Sequence, residues 1–202
     1  MSTKQKILDA AETLFASQGY ADTSVRQIIA EAGVNLAAIH YHFGSKEEML
    51  DAVVQRKAGP VNQKRLEMLD AALARAGGHP LAVEIILEAL LRPMADAASH
   101  NEQFVRFMGR IIAEGLLPHI AQKHFQHVML RFMDALRQSL PGVPEQEFLW
   151  RVHFMMGALS HTMCGSPEHL QMLGISSDYH ERIDRLKRFL SAGFRAPGGM
   201  NK

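Results

Sequence analysis

Apolar residues recur at intervals of three and four along almost the whole chain, and no stretch alternates long enough to line one face of a strand. That pattern restricts the chain to an all-α fold in which helices bury their stripes against one another. A first helix is expected from Thr3 to Ser17, with Ile7, Leu8, Ala11, Leu14 and Phe15 on its buried side and Gly19 as its stop signal. Ser24 and Gln27 have capping-box spacing and open a short second helix, with Thr23 as a competing cap and Val25, Ile28 and Ile29 facing inward. Ala32-Gly33-Val34 breaks it, Asn35 caps a third helix through Tyr41, and Ser45 to Glu48 open a fourth. Gly59-Pro60 predicts a kink or break before the helix resumes to Ala74. Helices are then expected over 81–98, 102–115, 118–139, 144–163 and 178–193, with a loop at 165–177.

Composition excludes several classes. With 202 residues, 47% hydrophobic and 21% charged, the chain can bury a core without disulfides or a structural metal. Cys164 is the single cysteine, so no internal disulfide forms; it sits in an apolar stretch with no cationic cluster and reads as an inert buried thiol. No run of uncharged apolar residues is long enough for a transmembrane helix, and a cytoplasmic location without membrane contact is expected. His119, His124 and His127 lack a Cys, Asp or Glu at ligand spacing, so neither a metal nor a cofactor is expected. There is no nucleophile elbow, phosphate-cradling glycine loop or HExxH pair, and enzymatic activity is not expected.

Residues 23–43 carry the functional signal. Two short helices flank a turn in which Gly33 can take the left-handed conformation, the arrangement of a helix-turn-helix. Leu36-Ala37-Ala38-Ile39 gives the second helix small side chains, suited to a major groove about 12 Å wide. Asn35, His40, Tyr41, His42 and Lys46 crowd its ends and can donate to phosphates or base edges. The net charge of +1 gives no global attraction to a polyanion. Across residues 1–50, Lys4, Lys6, Arg26 and Lys46 face six acids (Asp9, Glu12, Asp22, Glu31, Glu47 and Glu48), so any basic patch must be local.

The segments Thr23-Ser24-Val25-Arg26-Gln27-Ile28, Ala32-Gly33-Val34 and Ile39-His40-Tyr41-His42-Phe43-Gly44-Ser45-Lys46-Glu47-Glu48-Met49-Leu50 together resemble the signature of the TetR family of transcriptional regulators. The resemblance implies that the third helix reads the major groove and that Thr23, Tyr41, His42 and Lys46 hold phosphates. His40 departs from the family's usual tyrosine and offers a ring that can become charged. The expected DNA-contacting set is Thr23, Ser24, Arg26, Asn35, Leu36, Ala37, Ala38, His40, Tyr41, His42 and Lys46.

The resemblance also implies an organisation: a DNA-binding domain over 1–52, a larger helical ligand-binding and dimerisation domain over 53–196, and a disordered tail over 197–202. A homodimer is expected through two late helices, by way of Phe148, Val152, Met155, Met156, Leu159, Met163, Ile183, Leu186, Phe189 and Leu190. A small apolar effector, with fatty acyl as one candidate, is expected among Phe104, Phe107, Met108, Arg110, Phe125, Met129, Met133 and Met155. Arg106, Arg110 or Arg151 could meet an acidic group, against the alternative of an Arg110–Glu114 pair within one helix. The expected function is a repressor released from palindromic double-stranded operator DNA when ligand binds, with the fourth helix as lever. A regulator without a small-molecule ligand stays open beside it, as does a purely structural helical adaptor.

Overall fold

The computed structural model describes residues 1–164 and 167–197, and among these every regular element is helical. The chain divides into two compact units, one formed by 1–60 with 101–125 and the other by 61–100 with the chain from 126 on.

The first unit is built on α1 (Thr3–Gln18), α2 (Val25–Ala32) and α3 (Leu36–His42). Ser2 and Gln5 close a capping box on α1, and Ser24 and Gln27 close one on α2. Ser24 therefore wins the cap, and the competing Thr23 turns inward. Asn35 caps α3 by accepting from the Ala38 N–H at 2.9 Å. α1 packs on α2, α3 and α6 (Glu102–Ala113), and Ile7, Phe15, Ile28, Ile39 and Phe107 are buried where they meet. Arg56 of α4 (Lys46–Ala76) donates to Asp9 at 2.6 Å, to the Leu8 carbonyl at 2.9 Å and to Glu12, which Lys57 also pairs. The buried Glu12 thus has two cations to offset its desolvation.

α4 runs without interruption through Pro60, where the sequence predicts a kink or break. Proline there forfeits one backbone bond, and several helical turns on each side outweigh that loss. The expected helix at 118–139 is continuous too, but it contains a π-helical turn at Ala121–Phe125 between α7 (Leu117–Ile120) and α8 (Gln126–Ser139). From that turn Lys123 and His124 both bond to Asp51 of α4, His124 at 2.9 Å. Burial pushes the Asp51 carboxyl up, but these two partners outweigh it and hold the group below its ordinary value.

In the second unit α5 (Val83–His100) packs against α8 and α11 (Tyr179–Arg195), and α11 packs on α9 (Glu145–Cys164). A salt-bridge network ties α5 to α11: Arg92 donates to Glu88 and to Asp184, each at 2.8 Å, and Lys187 reaches both carboxylates. A short helix α10 (Pro167–Met172) lies inside the stretch expected to be loop. No helix among the described residues is long and apolar enough to cross a membrane. The side chains of Arg106, His119 and Cys164 and the tail beyond 197 lie outside the described residues.

Ile28 has no solvent exposure and stands between α1, α2 and α3. Ile28→Ala should lower the unfolding free energy by about 3 kcal/mol in chemical denaturation.

Candidate nucleic-acid interface

α3 is short enough that its two faces are easy to assign. Ile39 is 1% exposed and the following Phe43 is buried, so this side is committed to the unit's interior. The opposite side carries Leu36, Ala37, His40 and Tyr41 in water. Tyr41 is 85% exposed, an extent of open aromatic surface that nothing among the described residues covers. His42 packs its ring edge against Tyr41 at 4.9 Å between centroids, which limits the rotamers of both. Ser24, Arg26 and Asn35 are exposed as well, while Ala38 and His42 are half-buried.

Two residues of the expected DNA-contacting set occupy more enclosed positions. Thr23 is 1% exposed and donates its hydroxyl proton to the Gly19 carbonyl at 2.6 Å, so its side chain shapes the α1–α2 loop. Lys46 is half-buried, with its ammonium 4.2 Å from the centre of the Tyr20 ring and 3.5 Å from the Ala21 carbonyl. Burial draws its pKa below the ordinary lysine value against the opposing pull of Glu114 and Asp22.

Sequence reasoning missed what holds the α1–α2 loop. Glu114, just past the end of α6, accepts from the Tyr20 N–H at 3.0 Å and the Ala21 N–H at 2.9 Å. Arg110, one turn earlier, donates to the Ser17 carbonyl at 3.2 Å. In place of an Arg110–Glu114 pair, the two side chains make three contacts to backbone more than ninety residues away. The chemistry is complementary: a cation meets a carbonyl at the C-terminal end of α1, and a carboxylate meets two amides of the loop. Nothing local in the sequence signals a pairing at that separation.

The residues nominated for a ligand pocket fall in both units. Phe104, Phe107 and Met108 are buried in the first, with Phe125 half-buried and Arg110 exposed. Met129 and Met133 are half-buried in the second, and Met155 is fully buried. Arg151, a candidate for an acidic ligand, is committed elsewhere: it donates to Glu147 at 2.8 Å and to the carbonyls of Phe194 and Ala196 at 2.6 and 2.9 Å, capping the end of α11.

The stripe expected at a dimer interface is the inner face of the second unit. Phe148, Val152, Met155, Leu159, Met163, Ile183, Leu186 and Leu190 are buried within the single chain, and Met156 is half-buried. Of that set Phe189 stands out, 71% exposed. The outward face of α9 instead presents Trp150 and Phe154, whose rings stack at 5.6 Å, with His153 edge-on to Trp150. Helical periodicity marks an apolar stripe without saying what covers it, and α9 has apolar residues on both sides.

Residues 7–53 match the family model described as bacterial regulatory proteins, tetR family, and residues 84–193 match tetracyclin repressor-like, C-terminal domain. The HTH-type transcriptional regulator SrpR of Pseudomonas putida is 34% identical over 114 residues, 56% of this chain; the match spans about half (47%) of that relative's own length. Two solved structures share the fold at 19% identity each. One is a tetR family transcription regulator from Shewanella sp. PV-4, with a TM-score of 0.67 over 94% of this chain and 98% of that one. The other is the fatty acid degradation regulator FadR from Bacillus halodurans, with a TM-score of 0.60 over 96% and 97%.

Gly19 adopts φ 94° and ψ 167°, a region open essentially to glycine, and a β-carbon there would press on the Glu114 carboxylate. Gly33 has φ 62° with open space around it. Gly33→Ala should therefore cost about 1 kcal/mol from backbone strain alone, and Gly19→Ala clearly more, as read from paired thermal unfolding curves.

The open aromatic face of α3, the capped turn beneath it and the two family matches that cover most of the chain lead to one assignment: this protein belongs to the TetR family of DNA-binding transcriptional regulators.

Proposed function

We propose that this chain is a ligand-responsive repressor that binds a palindromic operator as a homodimer and leaves it when a small molecule binds the second unit. The observation that carries the DNA-binding half is the face of α3: Leu36, Ala37, His40 and Tyr41 lie open on a helix whose other side is fixed by the buried Ile39. Small residues at Ala37 and Ala38 let the helix backbone approach base edges, while Asn35, His40 and Tyr41 supply hydrogen bonds there. Ser24, Arg26, His42 and Lys46 take phosphates around them. Lys46 can leave the Tyr20 ring for a phosphate, since an ion pair to DNA exceeds a cation–π contact at a half-exposed site.

The dimer forms through the outward faces of α9 and α11. Trp150, Phe154 and Phe189 are large, exposed and aromatic, and two copies of such a surface make a four-helix contact around a two-fold axis. Two-fold symmetry then requires half-sites about one helical turn apart or slightly more. Ligand acts by preferring a dimer arrangement whose recognition helices no longer match that spacing, and its effect equals its differential affinity for the two arrangements. An apolar effector with an acyl chain is the class we favour, and the half-buried Met129 and Met133 of the second unit offer it adaptable apolar contacts.

In-vitro selection from random duplex DNA should yield an inverted repeat bound by the full chain. Tyr41→Ala should weaken that binding at least tenfold in a fluorescence-anisotropy titration while leaving the melting temperature within a few degrees; unchanged affinity would remove α3 from the interface. Phe189→Glu together with Trp150→Glu should convert the dimer to monomers in analytical ultracentrifugation. A double variant that sediments as the parent does would place the two-fold contact elsewhere.

A further inference from the structure

One buried cation has no role in any of the foregoing. Arg182, in the first turn of α11, is 7% exposed. Its Nη2 is buried with no hydrogen-bond partner, and no carboxylate among the described residues lies within ion-pair distance. What the guanidinium has is the face of the Tyr179 ring, 4.9 Å away. Long helical side chains lean toward the N-terminus, which places this cation at the positive end of the helix dipole. Burial, lack of an acceptor and an unfavourable dipole all act in the same direction.

The nearby acids do not relieve it. Asp178 caps the helix by accepting from the Glu181 N–H at 2.8 Å, and Glu181 pairs with Arg185 at 3.3 Å. The contrast with Arg65 is instructive. That guanidinium is also buried without a carboxylate, and burial lowers its pKa to about 10. Yet it is occupied: it donates to the Leu90 carbonyl at 2.8 Å and to Asn62 at 3.0 Å. Arg65 has a structural purpose, whereas the Arg182 Nη2 has no acceptor among the described residues. Just ahead of the same helix end, Met172, Leu173 and Ile175 leave apolar side chains more than half exposed.

We infer that the N-terminal turn of α11 is the acid-binding end of the effector site: the Arg182 guanidinium takes the carboxylate of an organic acid, and the acid's apolar body covers Met172, Leu173 and Ile175. This rests on the reading that the second unit senses a small molecule, and it names the class. Two parallel N–H donors match a carboxylate, and pairing inside the protein removes the cost of the lone charge. An acid held by a partner subunit fits less well, because Nη2 is already closed off from solvent within one chain.

Calorimetric titration of the full chain with decanoate and benzoate, each beside its neutral counterpart 1-decanol or benzyl alcohol, tests the inference. At least one acid should bind tenfold or more tightly than its alcohol and release the selected operator. Arg182→Met keeps the volume and removes the charge; it should raise the ligand-free melting temperature, abolish the preference for the acid and leave operator binding intact. Equal binding of acid and alcohol by the parent protein overturns the inference without any variant. So does an Arg182→Met protein that keeps the preference, or one that falls apart to monomers, which would mean that a second copy supplies the acceptor. Failure of the DNA selection would sink the repressor reading; an operator-binding protein indifferent to acids would sink this inference alone.

Discussion

A helix of seven residues has no stability of its own in water, because nucleation fixes several residues before any bond repays it. α3 therefore exists only as the outer surface of something else. Ile39 and Ile28 are withdrawn from solvent, Asn35 satisfies the orphan amide of Ala38, and Gly33 turns the chain through the left-handed region. That burial sets which residues of α3 are left facing water, and with them the DNA interface proposed above.

The second dependence is longer in range. The α1–α2 loop that precedes the helix-turn-helix has its amides held by Glu114 and its preceding carbonyl by Arg110, both from the α6 end of the same unit. Thr23 closes the loop from inside through Gly19. The first unit is thus not a free-standing three-helix reader: residues more than ninety positions downstream supply part of its hydrogen bonding. These polar contacts between the α6 end and the loop have fixed geometry and tolerate displacement poorly.

The second unit shows how an arginine's meaning is set by its acceptors. Arg92 joins two helices through carboxylates, Arg151 closes the end of α11, and Arg65 ties α4 to the Leu90 carbonyl of α5. Each spends its donors inside the fold. The same side chain at 182 is buried without spending them, and that difference separates a structural cation from one waiting for a ligand.

Local physics was legible in the sequence alone. Helical periodicity, the Ser24 and Asn35 caps, the Gly33 turn and the signature around α3 are short-range features, decided within a few residues, and they suffice for the fold class and the family. The tertiary structure decided what lies beyond that range. It carried α4 through Pro60, turned Thr23 inward, gave Glu114 to a distant loop and placed Phe148 and Met155 inside while leaving Trp150 and Phe154 outside. These outcomes depend on which surfaces meet, and a stripe or a charge on one helix carries no record of its partner until the other helices are packed against it.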